Sequence, residues 1–88
     1  MKYSLLFSER AKKEIEKLDN STSKLLKGWI SKHLLDCDDP RAYGKALTAN
    51  KTGYWRYRIG DYRLIVEIHD DEFIILAITF GHRSKVYK

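Results

Sequence analysis

The chain has 88 residues, 43% of them hydrophobic and 33% charged, with a formal net charge of +5. That length supports one small core and no second, so residues 1–88 read as a single domain, and the apolar content argues against a disordered chain. The lone Cys37 cannot close an internal disulfide, Met1 to Phe7 lack the long apolar run of a signal peptide, and the longest uncharged stretch, Phe73 to His82, is half a membrane span; a cytoplasmic chain with no membrane partner is expected.

Along the chain, Tyr3, Leu5 and Phe7 alternate with Lys2, Ser4 and Leu6, which predicts a short strand ending at Ser8. Ser8 can cap a helix over Glu9 to Leu18, in which Ala11, Ile15 and Leu18 form one apolar stripe. Asp19, Asn20 and Ser21 interrupt it, and a second helix from about Thr22 to Leu35 should bury Leu25, Leu26, Trp29, Ile30 and His33 or Leu34. Asp38, Asp39 and Pro40 end that helix. The stretch up to Gly53 has no period and reads as a loop.

Three alternating segments follow, Tyr54 to Ile59, Tyr62 to His69 and Glu72 to Phe80, separated by Gly60-Asp61 and Asp70-Asp71, both read as two-residue hairpin turns. The order β-α-α-β-β-β predicts an α+β fold, an antiparallel sheet with a two-helix hairpin on one face. A hairpin at Gly60-Asp61 sets Arg58 opposite Arg63 and puts Trp55, Tyr57, Ile59, Leu64 and Val66 on the helix side. Arg56, Arg58, Arg63, Glu67 and His69 then share the other face. A two-residue turn at Asp70-Asp71 pairs Arg63 with Ile78 and gives His82, not Arg83, the parity of the arginine face.

Like charges directly opposed destabilise a sheet by tenths of a kcal/mol to about 1 kcal/mol. A phosphate lying over Arg58 and Arg63 would accept bidentate bonds from both guanidinium groups; alternatively, Glu67 on the same face neutralises them. The distribution of charge supports an anionic ligand, because residues 41–63 carry six basic residues against one acidic and the last seven residues carry three against none. A basic surface kept for solubility would give the same totals. His33 and Cys37 are four apart but have no second pair of ligands, so no metal site is expected.

The segments "YWRYRIGDYRLIVEI", "DPRAYGKAL" and "FGHRSKVY" resemble the RelE/ParE superfamily of type II toxins, and the RelE branch in particular. The resemblance implies a RelE-like fold and an mRNA interferase: an endoribonuclease that needs no metal or cofactor, cuts mRNA in the ribosomal A site with contacts to 16S rRNA, and is held inactive by a cognate antitoxin. It implies that Arg63 holds the scissile phosphate and that Arg56 and Arg58 are the basic residues of the second strand. Arg83 is then the C-terminal arginine of the active site and Tyr87 the candidate general base, with His82 the other candidate for proton transfer. Lys45, Arg56 and Lys85 would contact RNA. A ParE-like inhibitor of DNA gyrase, with this fold and no nuclease activity, is the alternative.

Overall fold

A computed structural model of the chain describes residues 2–47 and 54–82. Strand β1 (Ser4–Phe7) leads into helix α1 (Glu9–Glu16), which is followed by helix α2 (Asn20–His33). Both helices start on a side-chain cap that fills an orphaned backbone donor. Ser8 Oγ accepts from the Ala11 amide at 3.1 Å, and Asp19 accepts from the Thr22 amide and, at 2.6 Å, from the Thr22 hydroxyl. Because Asp19 is a cap, Asn20 and Ser21 belong to α2 and not to the interruption expected there. The second helix also ends early, at His33, and the chain turns through Asp36 in the left-handed region (φ 56°) before the Asp38-Asp39-Pro40 stop is reached.

Four more strands complete the sheet: β2 (Lys45–Ala46), β3 (Tyr54–Ile59), β4 (Tyr62–His69) and β5 (Ile74–His82), in the order β1-β5-β4-β3-β2. The α+β class, the helical hairpin and the β3-β4-β5 meander agree with expectation, but the sheet is mixed. β1 pairs in parallel with β5, Ser4 opposite Ile74 through Phe7 opposite Ala77. Two helices return the chain across the sheet between β1 and β3, so β1 reaches the far edge from the parallel direction. The short strand β2, inside the predicted loop, adds Lys45 opposite Arg56 and Ala46 opposite Trp55.

The β4-β5 connection also differs from the expected two-residue turn. Asp70–Glu72 form a single 3-10 turn closed by Phe73 at φ 54°, and His69 pairs with Ile74. Further along, the register slips by one between Ile65 and Val66, whose partners are Thr79 and Ala77, leaving Ile78 in a bulge. Beyond β1 the edge of β5 is closed by side chains: Ser8 Oγ donates to the Ile78 carbonyl at 2.9 Å, and Glu14 accepts from the Thr79 hydroxyl at 2.8 Å and the Phe80 amide at 3.0 Å.

One face of the sheet carries the core. Ala11 of α1 and Leu26 and Ile30 of α2, with Leu34, pack on Tyr57, Ile59, Leu64, Val66, Ile75, Ala77 and Phe80. Leu25, expected inside, is 47% exposed, because the buried stripe of α2 runs through Leu26 and Ile30 to Leu34 and turns Leu25 outward. Leu26→Ala should therefore lower unfolding free energy by about 2–5 kcal/mol, whereas Leu25→Ala should change it by less than about 0.5 kcal/mol. Urea denaturation of the two variants beside the wild type measures the contrast.

Candidate nucleic-acid interface

The two-residue turn at Gly60-Asp61 sets the geometry of the basic face. Gly60 has a φ of 62°, the left-handed conformation that such a hairpin requires, and the register that follows puts Arg58 directly opposite Arg63. Lys45 and Arg56 are opposed in the same way across β2 and β3. Four cationic side chains thus start from neighbouring positions on the face turned away from the helices.

Their environments are unequal. Arg58 is exposed, while Arg63 is 7% exposed. The Arg63 guanidinium donates one bond, at 3.1 Å, to the carbonyl of the adjacent Tyr62, and its Nε is buried with no partner. Glu67, the carboxylate that could neutralise the arginines, instead engages His69, with Oε1 2.9 Å from the imidazole Nε2. Among the described residues neither Arg58 nor Arg63 has an ion-pair partner. A buried donor left unbonded costs about 1–3 kcal/mol, more when charged. The residue across β5 from Arg63 is Gly81, which has no side chain to occupy the adjacent space.

His82 lies elsewhere. The expected pairing of Arg63 with Ile78 fails because the loop Asp70 to Phe73 is longer than two residues and because the bulge at Ile78 inverts the alternation. His82 pairs with Tyr62 and meets its ring edge-on at 5.7 Å, on the face that carries Phe80 and the core. The structure thus brings together Lys45, Arg56, Arg58 and Arg63 and puts His82 on the other side. Arg83, Lys85 and Tyr87 lie outside the described residues.

A set of contacts that no sequence pattern announced holds the loop before β2. Arg41 makes a bidentate ion pair with Asp70, at 2.9 and 3.0 Å, and Asp70 also accepts from the Tyr3 hydroxyl at 2.6 Å. The Trp55 indole donates to the Tyr43 carbonyl at 2.6 Å, and the buried Tyr57 hydroxyl donates to the Pro40 carbonyl. The bonds from Arg41 and Tyr3 hold the Asp70 carboxyl below its ordinary pKa, and the Asp70 bond pushes the Tyr3 phenol up. These partners are 29 and 67 residues from Asp70 in the chain, and only the fold joins them.

A model of the ParE toxin of the type II toxin-antitoxin system, parDE, matches residues 5–87. This chain belongs to that family. A RelE-like toxin protein of Escherichia coli is 29% identical over 86 residues, covering 97% of this chain and 87% of the relative. The isolated RelE toxin of E. coli has a TM-score of 0.73 at 28% identity, covering 97% of this chain and 90% of that one. The RelBE2 toxin-antitoxin complex of Mycobacterium tuberculosis gives 0.81 at 24% identity, over 94% and 100% of the two chains, a likeness of fold. The protein is a RelE/ParE-superfamily toxin, as its motifs imply. Among the toxin's described residues no helix is long and apolar enough to cross a membrane, and no group of three His, Cys, Asp or Glu side chains could hold a metal.

The Asp70 contacts have a pH signature. A carboxyl whose pKa is lower in the folded toxin than in the unfolded chain stabilises fully above its unfolded value, about 3.9, and loses that stabilisation as pH falls through the folded value. Asp70→Asn should therefore lower the toxin's stability at pH 7 and flatten its loss of stability below about pH 4, as thermal denaturation followed over pH 2–7 would record.

Proposed function

We propose that this toxin is a metal-independent, ribosome-dependent endoribonuclease that cuts mRNA in the ribosomal A site and thereby inhibits translation. The observation that carries this function is Arg63, with a buried, unpartnered Nε and no ion-pair partner among the described residues, standing across the hairpin from Arg58. A phosphodiester is an anion that two neighbouring guanidinium forks can bind. Kinship with RelE-like toxins supports the same conclusion.

Cleavage needs no metal if the adjacent ribose supplies the nucleophile. The 2′-OH gives its proton to a base and its oxygen bonds to phosphorus; the bond to the 5′-oxygen breaks and that oxygen takes up a proton. The products are a 2′,3′-cyclic phosphate and a 5′-hydroxyl end. Arg63 and Arg58 stabilise the charge that grows on the phosphoryl oxygens. In this proposal Arg83 stabilises the leaving oxygen, Tyr87 takes the 2′-OH proton, and Lys45, Arg56 and Lys85 hold flanking phosphates. Tyr87 is preferred to His82 as the base because His82 pairs with Tyr62 on the helix face, across the sheet from Arg63. The cognate antitoxin covers the same face with acidic residues and excludes RNA.

The family model is named for ParE, which favours gyrase as the second target to test. Primer extension on translated mRNA and a DNA gyrase supercoiling assay, run on the same preparation, separate the two. The wild type should cut mRNA on ribosomes and leave supercoiling untouched; the opposite pair of results would assign the toxin to gyrase. Arg63→Lys keeps the charge but loses the fork, and should slow single-turnover cleavage by about 10²- to 10³-fold with an unchanged circular dichroism spectrum. Cleavage at the wild-type rate by this variant would remove Arg63 from the site. Tyr87→Phe should slow cleavage by about a hundredfold or more with ribosome binding intact; a full rate in Tyr87→Phe and a reduced one in His82→Ala would move the proton transfer to His82.

A further inference from the structure

Where β2 ends, the edge of β3 continues past it, and a cavity of about 290 Å³ opens there. It is lined by Trp29 of α2, Tyr43, Gly44, Lys45, Arg56 and Arg58. Two aromatic residues and three cationic ones thus share the lining, which among the described residues holds no carboxylate. A ligand that suits both kinds of lining residue is planar over part of its area and anionic over the rest.

The cavity is built into the fold. Tyr43 is 47% exposed, and its carbonyl accepts the Trp55 indole bond at 2.6 Å, which pins its backbone. Gly44 has a φ of 82°, and a Cβ there would collide with the Arg56 carbonyl oxygen and come within 2.8 Å of the Trp55 indole nitrogen. The chain can thus press against β3 only with glycine at this position. The ring wall rests on the core: Trp29 lies 5.2 Å from Tyr57 and meets Tyr43 edge-on at 6.3 Å, and His33 contacts both, at 4.6 and 4.4 Å.

Arg58 ties this cavity to the opposed arginines, because it belongs to both. A strand of RNA with one phosphate over Arg58 and Arg63 would therefore bring a neighbouring nucleotide toward the cavity. We propose that this cavity is a nucleotide subsite, in which a base flanking the scissile phosphate stacks on Tyr43 against the Trp29 wall while Lys45 and Arg56 hold the adjoining phosphate; the assignment rests on the RNA-cutting function proposed above. Stacking on a ring selects single-stranded RNA with a splayed base and reads little of the base's hydrogen-bonding edge, so Tyr43 acts as a positioning residue for the strand.

The test titrates the full-length toxin with a 2′-O-methyl tetraribonucleotide, which lacks the nucleophilic hydroxyl, while NMR follows the Trp29 indole and Gly44 amide. Cleavage of mRNA on ribosomes is measured in parallel for wild type, Tyr43→Leu and Tyr43→Phe. Wild type and Tyr43→Phe should show both resonances moving with the same Kd; Tyr43→Leu should bind about five- to a hundredfold more weakly, the range that one stacked base supplies. Its half-saturating ribosome concentration should rise with little change in the maximal cleavage rate. Wild-type binding and half-saturation in Tyr43→Leu, or shifts confined to the Arg63 neighbourhood, would overturn the subsite even if mRNA is cut. If the resonances move as expected but no mRNA is cut, the subsite stands as an RNA site and the nuclease function falls.

Discussion

The register of the β3-β4 hairpin is the constraint on which the rest depends. Gly60 in the left-handed region allows a two-residue turn whose twist matches that of the strands. Every pair behind it is then determined: the large apolar residues Tyr57, Ile59, Leu64 and Val66 fall on the side that the helices cover, and the arginines fall on the other. A slip by one residue would expose the core and bury the cations together. The opposition of Arg58 and Arg63 is therefore inseparable from the pairing that makes the core, and the repulsion between them is carried by the burial on the far side of the same strands.

That coupling explains the asymmetry between the two faces. On the helix face, polar groups find protein partners: Ser8 and Glu14 close the β5 edge, and Tyr57 reaches the Pro40 carbonyl. On the basic face Arg63 keeps a buried unbonded nitrogen and Glu67 turns to His69. Arg58 is exposed and Arg63 is buried, so the opposed charges sit in unequal surroundings. Under the proposed function, a phosphate lying over Arg58 and Arg63 would cancel the repulsion.

Long-range ties prepare the rim of this face. The Arg41–Asp70 pair and the Tyr3 hydroxyl draw the β4-β5 turn, the N-terminal end of β1 and the loop before β2 together at one end of the sheet. The Trp55 indole bond to Tyr43 then holds the loop against β3. Exposed pairs of this kind contribute modestly to stability. Their effect here is positional: they keep Tyr43, Gly44 and Lys45 beside Arg56 and Arg58 without a regular element longer than two residues.

Much of this toxin can be read from local chemistry. Strand alternation, helix stripes and the Gly60-Asp61 turn are set within a few residues, so the helical hairpin, the meander and the Arg58–Arg63 opposition are legible in the amino-acid order, as is the family through its motifs. The side of the sheet taken by His82 is not, because it depends on a single bulged residue, Ile78: the turn that Phe73 extends moves the register by two and keeps the side, whereas the bulge moves it by one and inverts the side on which every later side chain emerges. The parallel pairing of β1, the brief strand β2 and the Asp70 contacts are equally silent, since each joins segments far apart in sequence through bonds that leave no periodic trace. By itself the sequence determined which residues alternate, which pair faces which across the tight hairpin, and where the charge accumulates. Only the tertiary structure decided that Arg63 is buried with a free donor, that Glu67 is engaged elsewhere and that Trp29 joins Tyr43 beside the arginines, because burial and partnership depend on what the rest of the chain brings near.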